Sequence, residues 1–346
     1  MRSLPLQLVY HPSDKLLNIY VNKVFIIINK VAAKAQAVWP EIRQRLNSGG
    51  IDFELCETIA AGDATERTRK ALRGGHTTIA VVGGDGTLSE AAEGFFEFKT
   101  DSLIPLPVPI NPAATLAILP AGTGDDFARG LMQGRAPLEH WLTLLVSHCQ
   151  KDSEETTRRV DVMAARCDGG SSPFICLNAS TMGIGGETGA RVAAQGEFMR
   201  RFSGEVRFLA AAIGALTAWR ERKVRIAIDS QQVFEGPMNL VAVANGLYAG
   251  GGMMLSPQAR TDDGKLDVVT ASGLNRLQVV RELPRIHRGG HVANPKVRIF
   301  QGSSARIETF TPEDGMLIEA DGNVRGKTPV EFQILPQALR FVSSGQ

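Results

Sequence analysis

Apolar runs that end in glycine-rich turns constrain the fold of this chain more than any other feature. Residues 23–29 (KVFIIIN) form a continuous apolar run, which is typical of a parallel strand buried on both faces. Residues 76–87 (HTTIAVVGGDGT) and 115–131 (TLAILPAGTGDDFARGL) each combine such a run with a glycine turn. Strand–turn–helix units at this spacing predict a doubly wound α/β domain with a mostly parallel sheet.

Helices between these strands are predicted from the spacing of apolar residues and from capping residues. We expect one helix over residues 34–47 and another over 62–73, with Asp63 as its N-cap. A further helix is expected from Ser89 to about Phe98, after the GGDGT turn. Such helices are expected to cover the faces of the sheet.

The pattern changes in the second half of the chain. Short β-rich runs separated by turn residues follow one another there, and only 203–221 and 275–288 show helical spacing. This succession of short strand-like runs predicts a second domain of mainly antiparallel sheet. We therefore predict an α/β domain over 1–155, to which 333–346 return, and a β-rich domain over 156–332.

Composition excludes several classes of protein. Hydrophobic residues make up 43% of the chain and charged residues 21%, with a net charge of +2, which excludes a disordered chain and argues against a membrane-spanning one. A dedicated nucleic-acid-binding protein is normally strongly basic, so none is expected here. The four cysteines lie far apart in the sequence, which fits reduced thiols in a soluble cytoplasmic protein.

The turn at 83–87 (GGDGT) is the strongest local indication of function. Glycines between a buried strand and a helix let backbone N–H groups approach phosphate, and the helix N-terminus adds partial positive charge. Asp85 supplies a carboxylate beside the phosphates, where Mg²⁺ commonly binds. The alternative interpretation is a strand-to-helix turn that needs flexible residues.

A second loop, 120–126 (PAGTGDD), occupies the same kind of position one strand later. Because ligands of open α/β sheets bind at the carboxyl ends of the strands, both glycine loops are expected to face one crevice. Capping of the following helix by Asp125 or Asp126 is the alternative role for these acids.

An ordered series of motifs resembles the diacylglycerol kinase catalytic family, which includes sphingosine and ceramide kinases and bacterial soluble lipid kinases. The motifs are GGDGT at 83–87, LPAGTGDDFAR at 119–129, NG and GGGM within 245–253, PQA and DGKLDV within 257–268, and EADG at 319–322 with LP at 335–336. GGDGT alone is shared with NAD kinases and phosphofructokinases. The series as a whole runs from about Lys23 to the end of the chain.

The resemblance implies an ATP- and Mg²⁺-dependent lipid kinase, a transferase of phospholipid metabolism with an alcohol group as acceptor. It implies an NAD-kinase-like nucleotide domain, with ATP held in the cleft between the domains. The residues it implies for nucleotide binding are Asn29, Thr58, Gly83, Gly84, Asp85, Gly86, Thr87, Ser89 and Thr123.

The resemblance also implies roles in the second domain. Asp321 matches the general base that accepts the proton of the lipid hydroxyl, although Asp321-Gly322 alone is equally typical of a hairpin turn. Asp263, with the backbone carbonyls of Arg260 and Lys265, matches a metal site that is separate from the Mg²⁺ of ATP.

The chain departs from the family at several of these positions. Residues 30–33 (KVAA) follow Asn29 where the family has NPxSG, and Lys30 is the candidate for a compensating charge. Ser89 and Asp125 replace asparagines that are common in the family. Asn323 replaces the Glu of its DGE motif, which weakens the acidic pair.

Residues 275–298 form a basic segment with the spacing of an amphipathic helix. Its charged residues are Arg276, Arg281, Glu282, Arg285, Arg288, Lys296 and Arg298, and its apolar residues at helical spacing are Leu277, Val280 and Leu283. Such a helix suits an anionic membrane surface. The alternative is that its apolar side packs on the second domain.

Three functions are open from the sequence. The main hypothesis is a lipid kinase that takes a membrane lipid as substrate, works in the cytoplasm or peripherally at the membrane, and binds no nucleic acid. Diacylglycerol, ceramide, sphingosine and phosphatidylglycerol are all candidate acceptors, and a homodimer is left open. The alternatives are a NAD kinase and a non-catalytic lipid- or nucleotide-binding regulator, the latter motivated by the lost NPxSG and by Asn323.

Overall fold

A computed structural model of the chain describes residues 23–98, 106–151, 153–168, 172–200, 202 and 204–344. Up to residue 150 strands and helices alternate, and after it strands dominate. The elements of the first part are β1 (Val24–Asn29), α1 (Ala33–Ser48), β2 (Phe53–Thr58), α2 (Asp63–Arg73), β3 (Thr78–Gly83), α3 (Asp85–Glu93), β4 (Phe96–Phe98), β5 (Pro107–Pro109), β6 (Thr115–Pro120), α4 (Asp126–Leu131) and α5 (Leu138–Gln150).

The second part carries most of the strands. Its elements are β7 (Thr157–Cys167), β8 (Phe174–Cys176), β9 (Ala179–Gly183), α6 (Ile184–Ala193), α7 (Glu197–Arg200), α8 (Gly204–Ala218), β10 (Arg222–Ile228), β11 (Gln231–Met238), β12 (Leu240–Ala244), β13 (Tyr248–Ala249), β14 (Met253–Met254), β15 (Leu266–Ala271), α9 (Arg276–Ile286), β16 (Val297–Gly302), β17 (Ser304–Thr309), β18 (Leu317–Ala320), β19 (Asn323–Lys327) and β20 (Val330–Val342). Short 3₁₀ turns lie at Ser153–Thr156, Gly290–Ala293 and Pro312–Asp314.

The parallel sheet follows the order β2–β1–β3–β6. Its central residues, such as Ile26, Val81 and Leu116, are fully buried because helices cover both faces of the sheet, which explains the continuous apolar runs in the sequence. The C-terminal strand β20 extends this sheet, since Arg340 and Phe341 pair in parallel with β6.

Strand β20 also joins the two parts of the molecule. Beyond its contact with β6 it pairs in antiparallel fashion with β7 and β17, so that one large sheet runs from β2 to β11. The apolar core divides along β7, with Val162 in the cluster of the first part and Met163 in that of the second. The domain boundary at residues 155 and 156 stays a prediction.

A second sheet, with the order β16–β15–β12–β9–β18–β19, is antiparallel throughout. Buried residues such as Val241 and Ile318 share a core cluster with Ile226 and Ile307 of the large sheet, as in a β-sandwich. Helix α6 covers the outer face at very short range. A Cβ atom on Gly189 would lie only 2.5 Å from the Cγ of Glu319.

The predicted fold class, an α/β domain joined to an antiparallel β-rich domain, is confirmed. The helix expected from Ser89 to Phe98 is wrong at both ends. It begins at Asp85, inside the glycine loop, and ends at Glu93, because Gly94 terminates it. Residues Phe96–Phe98 instead pair with β5.

The predicted N-cap of α2 is also wrong. Gly62, with φ of +85°, occupies the cap position. The carboxylate of Asp63 accepts hydrogen bonds from the N–H groups of Ile59 and Ala60, which precede the helix. The acid therefore stabilises the loop that enters the helix.

Helix α9 lies within the predicted basic segment. The alternative interpretation required its apolar side to pack on the second domain, and two of the apolar residues do not do so. Leu277 is 68% exposed and Val280 46% exposed, whereas Val279 and Ile286 contact the core. In the part of the chain that the structure describes, no helix is long and apolar enough to cross a membrane.

Candidate active site

The two glycine loops meet at the carboxyl ends of β3 and β6. A Cβ atom on Gly122 would lie 2.6 Å from the Cα of Gly84, and one on Gly84 would lie 3.0 Å from the Cα of Gly122. Neither glycine has a positive φ. Close approach of the two backbones therefore requires glycine here, and the two loops adjoin each other; a shared ligand crevice stays a prediction.

The predicted nucleotide-binding residues lie along the same edge of the sheet. Asn29 ends β1 and donates from Nδ2 to Thr87 Oγ1 at 3.3 Å. Thr58 ends β2, is buried, and donates to the carbonyl of Ile28. Thr123 is exposed at the second loop. This arrangement leaves the N-terminus of α3 directed at the crevice, where its N–H groups suit an anion.

A pair of carboxylates lies beneath these loops. Asp85 Oδ1 accepts from the N–H of Phe127 at 3.1 Å, and Asp126 Oδ2 accepts from the N–H of Gly251 at 2.7 Å. Burial, and then the charge of Asp126, raises the pKa of Asp85 to about 7. Asp126 is 4% exposed, and its Oδ1 has no hydrogen-bond partner among the described residues. Burial raises the pKa of Asp126, although the hydrogen bond from Gly251 and the charge of Arg129 oppose that rise.

The capping alternative for the second loop is wrong. Asp125 occupies the N-cap position of α4 with φ of +50°, but its Oδ1 accepts from the N–H of Gly122 at 2.8 Å, within its own loop. Asp126 accepts from Gly251 of the second part instead. Asp125 shapes the loop, and Asp126 ties it to the GGGM segment.

Lys30, the candidate for a compensating charge after Asn29, is paired with an acid, and other cations contact the second loop. Lys30 Nζ forms an ion pair with Glu57 at 2.6 Å. Lys34 Nζ donates to the carbonyl of Gly122 at 2.7 Å, and Arg135 donates to the carbonyl of Thr123 at 3.0 Å. Two cations that sequence reasoning missed therefore lie beside the crevice. They could not be found from the motif because Arg135 lies outside it and Lys34 reaches it only through the fold.

Asp321 occupies the two-residue turn between β18 and β19, with φ of +47° followed by +87° at Gly322. Both values are typical of a hairpin turn, so the turn interpretation holds for the backbone. The side chain, however, is 9% exposed and is directed to the segment between β8 and β9. Its Oδ1 accepts from the N–H groups of Asn178 and Ala179, both at 3.0 Å.

The second oxygen of Asp321 joins the two halves of the site. Asp321 Oδ2 accepts from the N–H of Leu177 at 2.6 Å and from Ser89 Oγ at 2.7 Å. Ser89 belongs to α3, which begins in the GGDGT loop. The predicted base and a predicted nucleotide-binding residue, which are 232 positions apart, are therefore in direct contact.

A buried ion pair flanks this contact. Arg325 of β19 donates to Glu93 of α3 at 2.6 Å, and both side chains are largely buried. Burial raises the pKa of Glu93, although Arg325 opposes that rise. The pair fixes the β18–β19 hairpin against α3 and so supports the approach of Asp321 to Ser89.

Glu319 is a second carboxylate on the same hairpin. Its Oε2 accepts from Thr181 Oγ1 at 2.7 Å, and its Oε1 accepts from the N–H of Gly322. Burial raises the pKa of Glu319 to about 7, and the charge of Asp321 adds to the rise. Sequence reasoning did not assign it a role. Strand alternation puts Glu319 on the other face of β18 from the buried Ile318 and Ala320, but the residues that contact it depend on the fold.

The predicted metal site lies on a loop before β15. Asp263 is exposed and its Oδ1 accepts from the N–H of Lys265 at 3.0 Å, while Arg260 pairs with Asp262 at 3.3 Å. No group of three or more His, Cys, Asp or Glu side chains suited to a metal occurs among the described residues. The predicted set relies on two backbone carbonyls, so it stays a prediction.

Two family models match the chain in succession. The diacylglycerol kinase catalytic domain matches residues 23–165, which contain both glycine loops. The YegS C-terminal NAD kinase beta sandwich-like domain matches residues 183–343, which contain Asp321 and Glu319. Together the two matched segments contain both glycine loops and the Asp321 turn.

Individual proteins give the same result. A probable lipid kinase YegS-like protein of Xanthomonas axonopodis pv. citri is 30% identical over 87% of this chain and 90% of its own. A diacylglycerol kinase of Staphylococcus carnosus is 26% identical over 91% of this chain and 92% of its own. The crystal structure of a diacylglycerol kinase from Bacillus anthracis superposes with a TM-score of 0.64 at 23% identity, covering 93% of this chain and 97% of that one, and so shares the fold.

Proposed function

Because the chain belongs to the diacylglycerol kinase catalytic-domain family, we propose that it is a lipid kinase that transfers the γ-phosphoryl group of ATP to a hydroxyl of a membrane lipid. The hydrogen bond between Ser89 and Asp321 carries this proposal. It puts a carboxylate, the group that can accept the proton of an alcohol, at the helix that would hold the phosphates.

The nucleotide is assigned to the crevice between the two glycine loops. The N–H groups at residues 83–87 and the N-terminus of α3 suit the phosphates, and Asn29, Thr58 and Thr123 lie at the same edge. Lys34 and Arg135 already donate to this loop and add positive charge that would attract a polyanion.

The acid pair beneath the loops fits Mg²⁺. Asp126 Oδ1 is buried without a partner, and burial with the charge of Asp126 raises the pKa of Asp85 to about 7. Both observations are expected of buried carboxylates that can take a further positive charge, and carboxylate oxygens are the ligands that Mg²⁺ takes in proteins. A bound Mg²⁺ would neutralise phosphate charge. Asp85 and Asp126 would hold it.

In the transfer itself the lipid oxygen forms a bond to the γ-phosphorus as the bond from that phosphorus to the β,γ-bridging oxygen breaks, leaving ADP. The proton of the lipid hydroxyl goes to Asp321. Backbone N–H groups of Leu177, Asn178 and Ala179 donate to this carboxylate and cannot turn away. Ser89 donates to Oδ2 from a side chain that can rotate, so the acceptor hydroxyl would take its place on Oδ2.

A second cation is assigned to the loop from Arg260 to Lys265, with Asp263 and two backbone carbonyls as ligands. An exposed carboxylate with carbonyl oxygens suits Mg²⁺ or Ca²⁺. Support comes from Asp161, a fully buried carboxylate whose pKa is raised by burial and by the charges of Asp263 and Asp262. A cation titration should raise the melting temperature of the wild type more than that of Asp263→Ala, which keeps the site at Asp85 and Asp126; equal shifts would contradict this site.

The lipid surface is assigned to α7, α8 and α9 and to Phe202, which lies between α7 and α8. The exposed apolar side chains of these segments are Phe198, Phe202, Val206, Leu209, Ile213, Leu277 and Val280. Arg276 donates to the carbonyl of Thr217 at 2.9 Å and so joins the end of α8 to α9. Arg281, Arg288 and Arg298 are exposed, and none forms an ion pair with a described residue. Apolar area next to unpaired cations suits an anionic bilayer.

Vesicle sedimentation tests this surface. The chain should bind phosphatidylglycerol vesicles more tightly than phosphatidylcholine vesicles, and the double variant Leu209→Glu/Ile213→Glu should lose about tenfold in affinity. Leu55→Glu, at an exposed leucine of β2, is the matched control. Equal loss in both variants would contradict the assignment.

The function is tested by incubating the chain with labelled ATP and a panel of acceptors, namely diacylglycerol, ceramide, sphingosine, phosphatidylglycerol and NAD. We expect label in at least one lipid and none in NAD. Label in NAD alone would support a NAD kinase. ATP binding without transfer to any acceptor would support a regulator.

A further inference from the structure

Glu319 and Asp321 are two carboxylates on the β18–β19 hairpin. Among the described residues neither carboxylate takes part in an ion pair, and the nearby Arg325 is paired with Glu93. Glu319 accepts two hydrogen bonds, from Thr181 and Gly322. Asp321 accepts four.

This difference matters for proton transfer. Four hydrogen bonds hold the Asp321 carboxylate in one orientation. A negative charge beside a base favours transfer of a proton to that base. Glu319 lies two residues before Asp321 and accepts from the N–H of Gly322, the residue that follows Asp321 in the turn.

The sequence offers a reason why this neighbour is needed. The family motif has a glutamate at the position of Asn323, so the hairpin of this chain lacks the usual second acid. Strand pairing sets Asn323 opposite Ala320 and Val324 opposite Glu319. Asn323 and Glu319 therefore lie on opposite faces of the hairpin. The negative charge that Asn323 lacks would come from Glu319, on the face that α6 covers.

The other groups around Glu319 leave its charge uncompensated. From β9 it meets the neutral Thr181, and from α6 it meets Gly189. Of the charged residues of α6, Glu187 is directed to Arg222 at 3.8 Å, and Arg191 lies against Gly214 of α8. From β8 the thiol of Cys176 faces both acids, and burial raises the pKa of that thiol, so it stays neutral.

We infer that Glu319 is a positioning residue of the transfer reaction, whose ionised carboxylate favours proton transfer from the lipid hydroxyl to Asp321 and takes over the part of the missing acid at Asn323. The inference rests on the proposed lipid kinase function. Atoms balance as above: the proton moves from the lipid oxygen to Asp321, and Glu319 neither gains nor loses one.

Substitution Glu319→Gln tests the charge with little change of shape. The wild-type kcat should rise with pH through about 7, where Glu319 ionises. The variant should lose this rise and about tenfold in kcat at pH 8, a modest part of what general-base catalysis contributes, while KM for ATP stays within about twofold. Glu187→Gln on α6 is the matched control and should leave both the rate and the pH profile unchanged.

Rescue separates charge from structure. Adding Asn323→Glu to Glu319→Gln should restore at least part of kcat and of the pH dependence. In the otherwise wild-type chain, Asn323→Glu should shift the rise of kcat to higher pH, since an added negative charge disfavours ionisation of Glu319. This single variant keeps the test available if Glu319→Gln does not fold.

The inference is overturned if Glu319→Gln retains the pH-dependent rise, or if the double variant is no faster than Glu319→Gln, or if Asn323→Glu leaves the profile in place. Those results leave the kinase assignment intact when the wild type still phosphorylates a lipid. A wild type that phosphorylates no lipid overturns the kinase assignment, and with it this inference.

Discussion

The two acidic pairs of this molecule, Asp85 with Asp126 and Asp321 with Glu319, differ in how their charge is held. The first pair is buried under the glycine loops with few donors, and one oxygen of Asp126 has no partner among the described residues. In the second pair, Asp321 is surrounded by four donors. Carboxylates left short of donors suit a cation, whereas a carboxylate fixed by backbone N–H groups is held in one orientation.

The difference shows that aspartates of different motifs can lie in environments that suit different roles, cation binding for one pair and a fixed orientation for Asp321. The loops that carry Asp85 and Asp126 come from parallel strand ends, and these acids accept from the N–H groups of Phe127 and Gly251. The turn that carries Asp321 lies opposite residues 177–179, whose N–H groups donate to the Asp321 carboxylate. Three substitutions and one pH titration test this difference between the two pairs.

The largest effect is expected from Asp321→Asn. An amide cannot take up the proton of the lipid hydroxyl, so kcat should fall by about 10³-fold, within the range that general-base catalysis supplies. Asp229→Asn is a matched control, because Asp229 also has a positive φ in a hairpin turn and accepts from the N–H and hydroxyl groups of Ser303 and Ser304. Steady-state assays should show Asp229→Asn at the wild-type rate. A similar loss in both would mean that the turn matters only for folding.

Asp126→Asn should weaken Mg²⁺ dependence next most strongly. Removing one of the two carboxylates should raise the Mg²⁺ concentration for half-maximal rate by about 100-fold, as loss of a group at a metal site does. The measurement is the rate against free Mg²⁺ at saturating ATP. An unchanged Mg²⁺ midpoint would show that this pair does not serve the cation.

Gly122→Ala should have a smaller effect on nucleotide binding. Its Cβ would lie 2.6 Å from the Cα of Gly84, so the loops must move apart, and overpacking of this kind costs about 1–3 kcal/mol. KM for ATP should therefore rise by about tenfold. Gly134→Ala, where a Cβ would meet no atom within 4 Å, should behave as the wild type. Equal values of KM for the two variants would contradict a tight contact between the loops.

The smallest effect concerns stability and pH in the absence of Mg²⁺. The pKa of Asp85 is raised from 3.8 to about 7 in the folded chain, so between these values the folded state binds more protons than the unfolded one. The free energy of unfolding should therefore rise as pH falls from about 8 to 5. Asp126→Asn should remove part of this dependence and raise the melting temperature at pH 8 by about 2–4 °C. A melting temperature that falls as the pH is lowered through 7 would contradict the assignment.

Much of the architecture could be predicted from the sequence because its causes are local. Continuous apolar runs followed by glycines placed two loops at adjacent parallel strand ends, and the structure brings Gly84 and Gly122 into contact. The start of α3 was missed because Asp85 belongs both to the loop and to the first turn of the helix. The sequence from Ser89 onward gives no indication that the helix already begins inside the glycine loop.

Contacts between the two parts could not be predicted in this way. The bonds from Ser89 to Asp321 and from Gly251 to Asp126 join residues more than a hundred positions apart. They depend on β20 carrying the chain back to the parallel sheet, which no local pattern encodes. Glu319 was passed over for the same reason, since its significance comes from Thr181, Gly189 and Asp321 rather than from its own neighbours in sequence.

The most direct test of phosphoryl transfer is to measure ADP and lipid phosphate formed in the same mixed-micelle reaction. We predict that the two appear in a one-to-one ratio, that both depend on the acceptor lipid, and that Asp321→Asn abolishes both together. ADP formed at the same rate with or without lipid, or lipid phosphate formed at the wild-type rate by Asp321→Asn, would contradict the assignment of Asp321 to the transfer site.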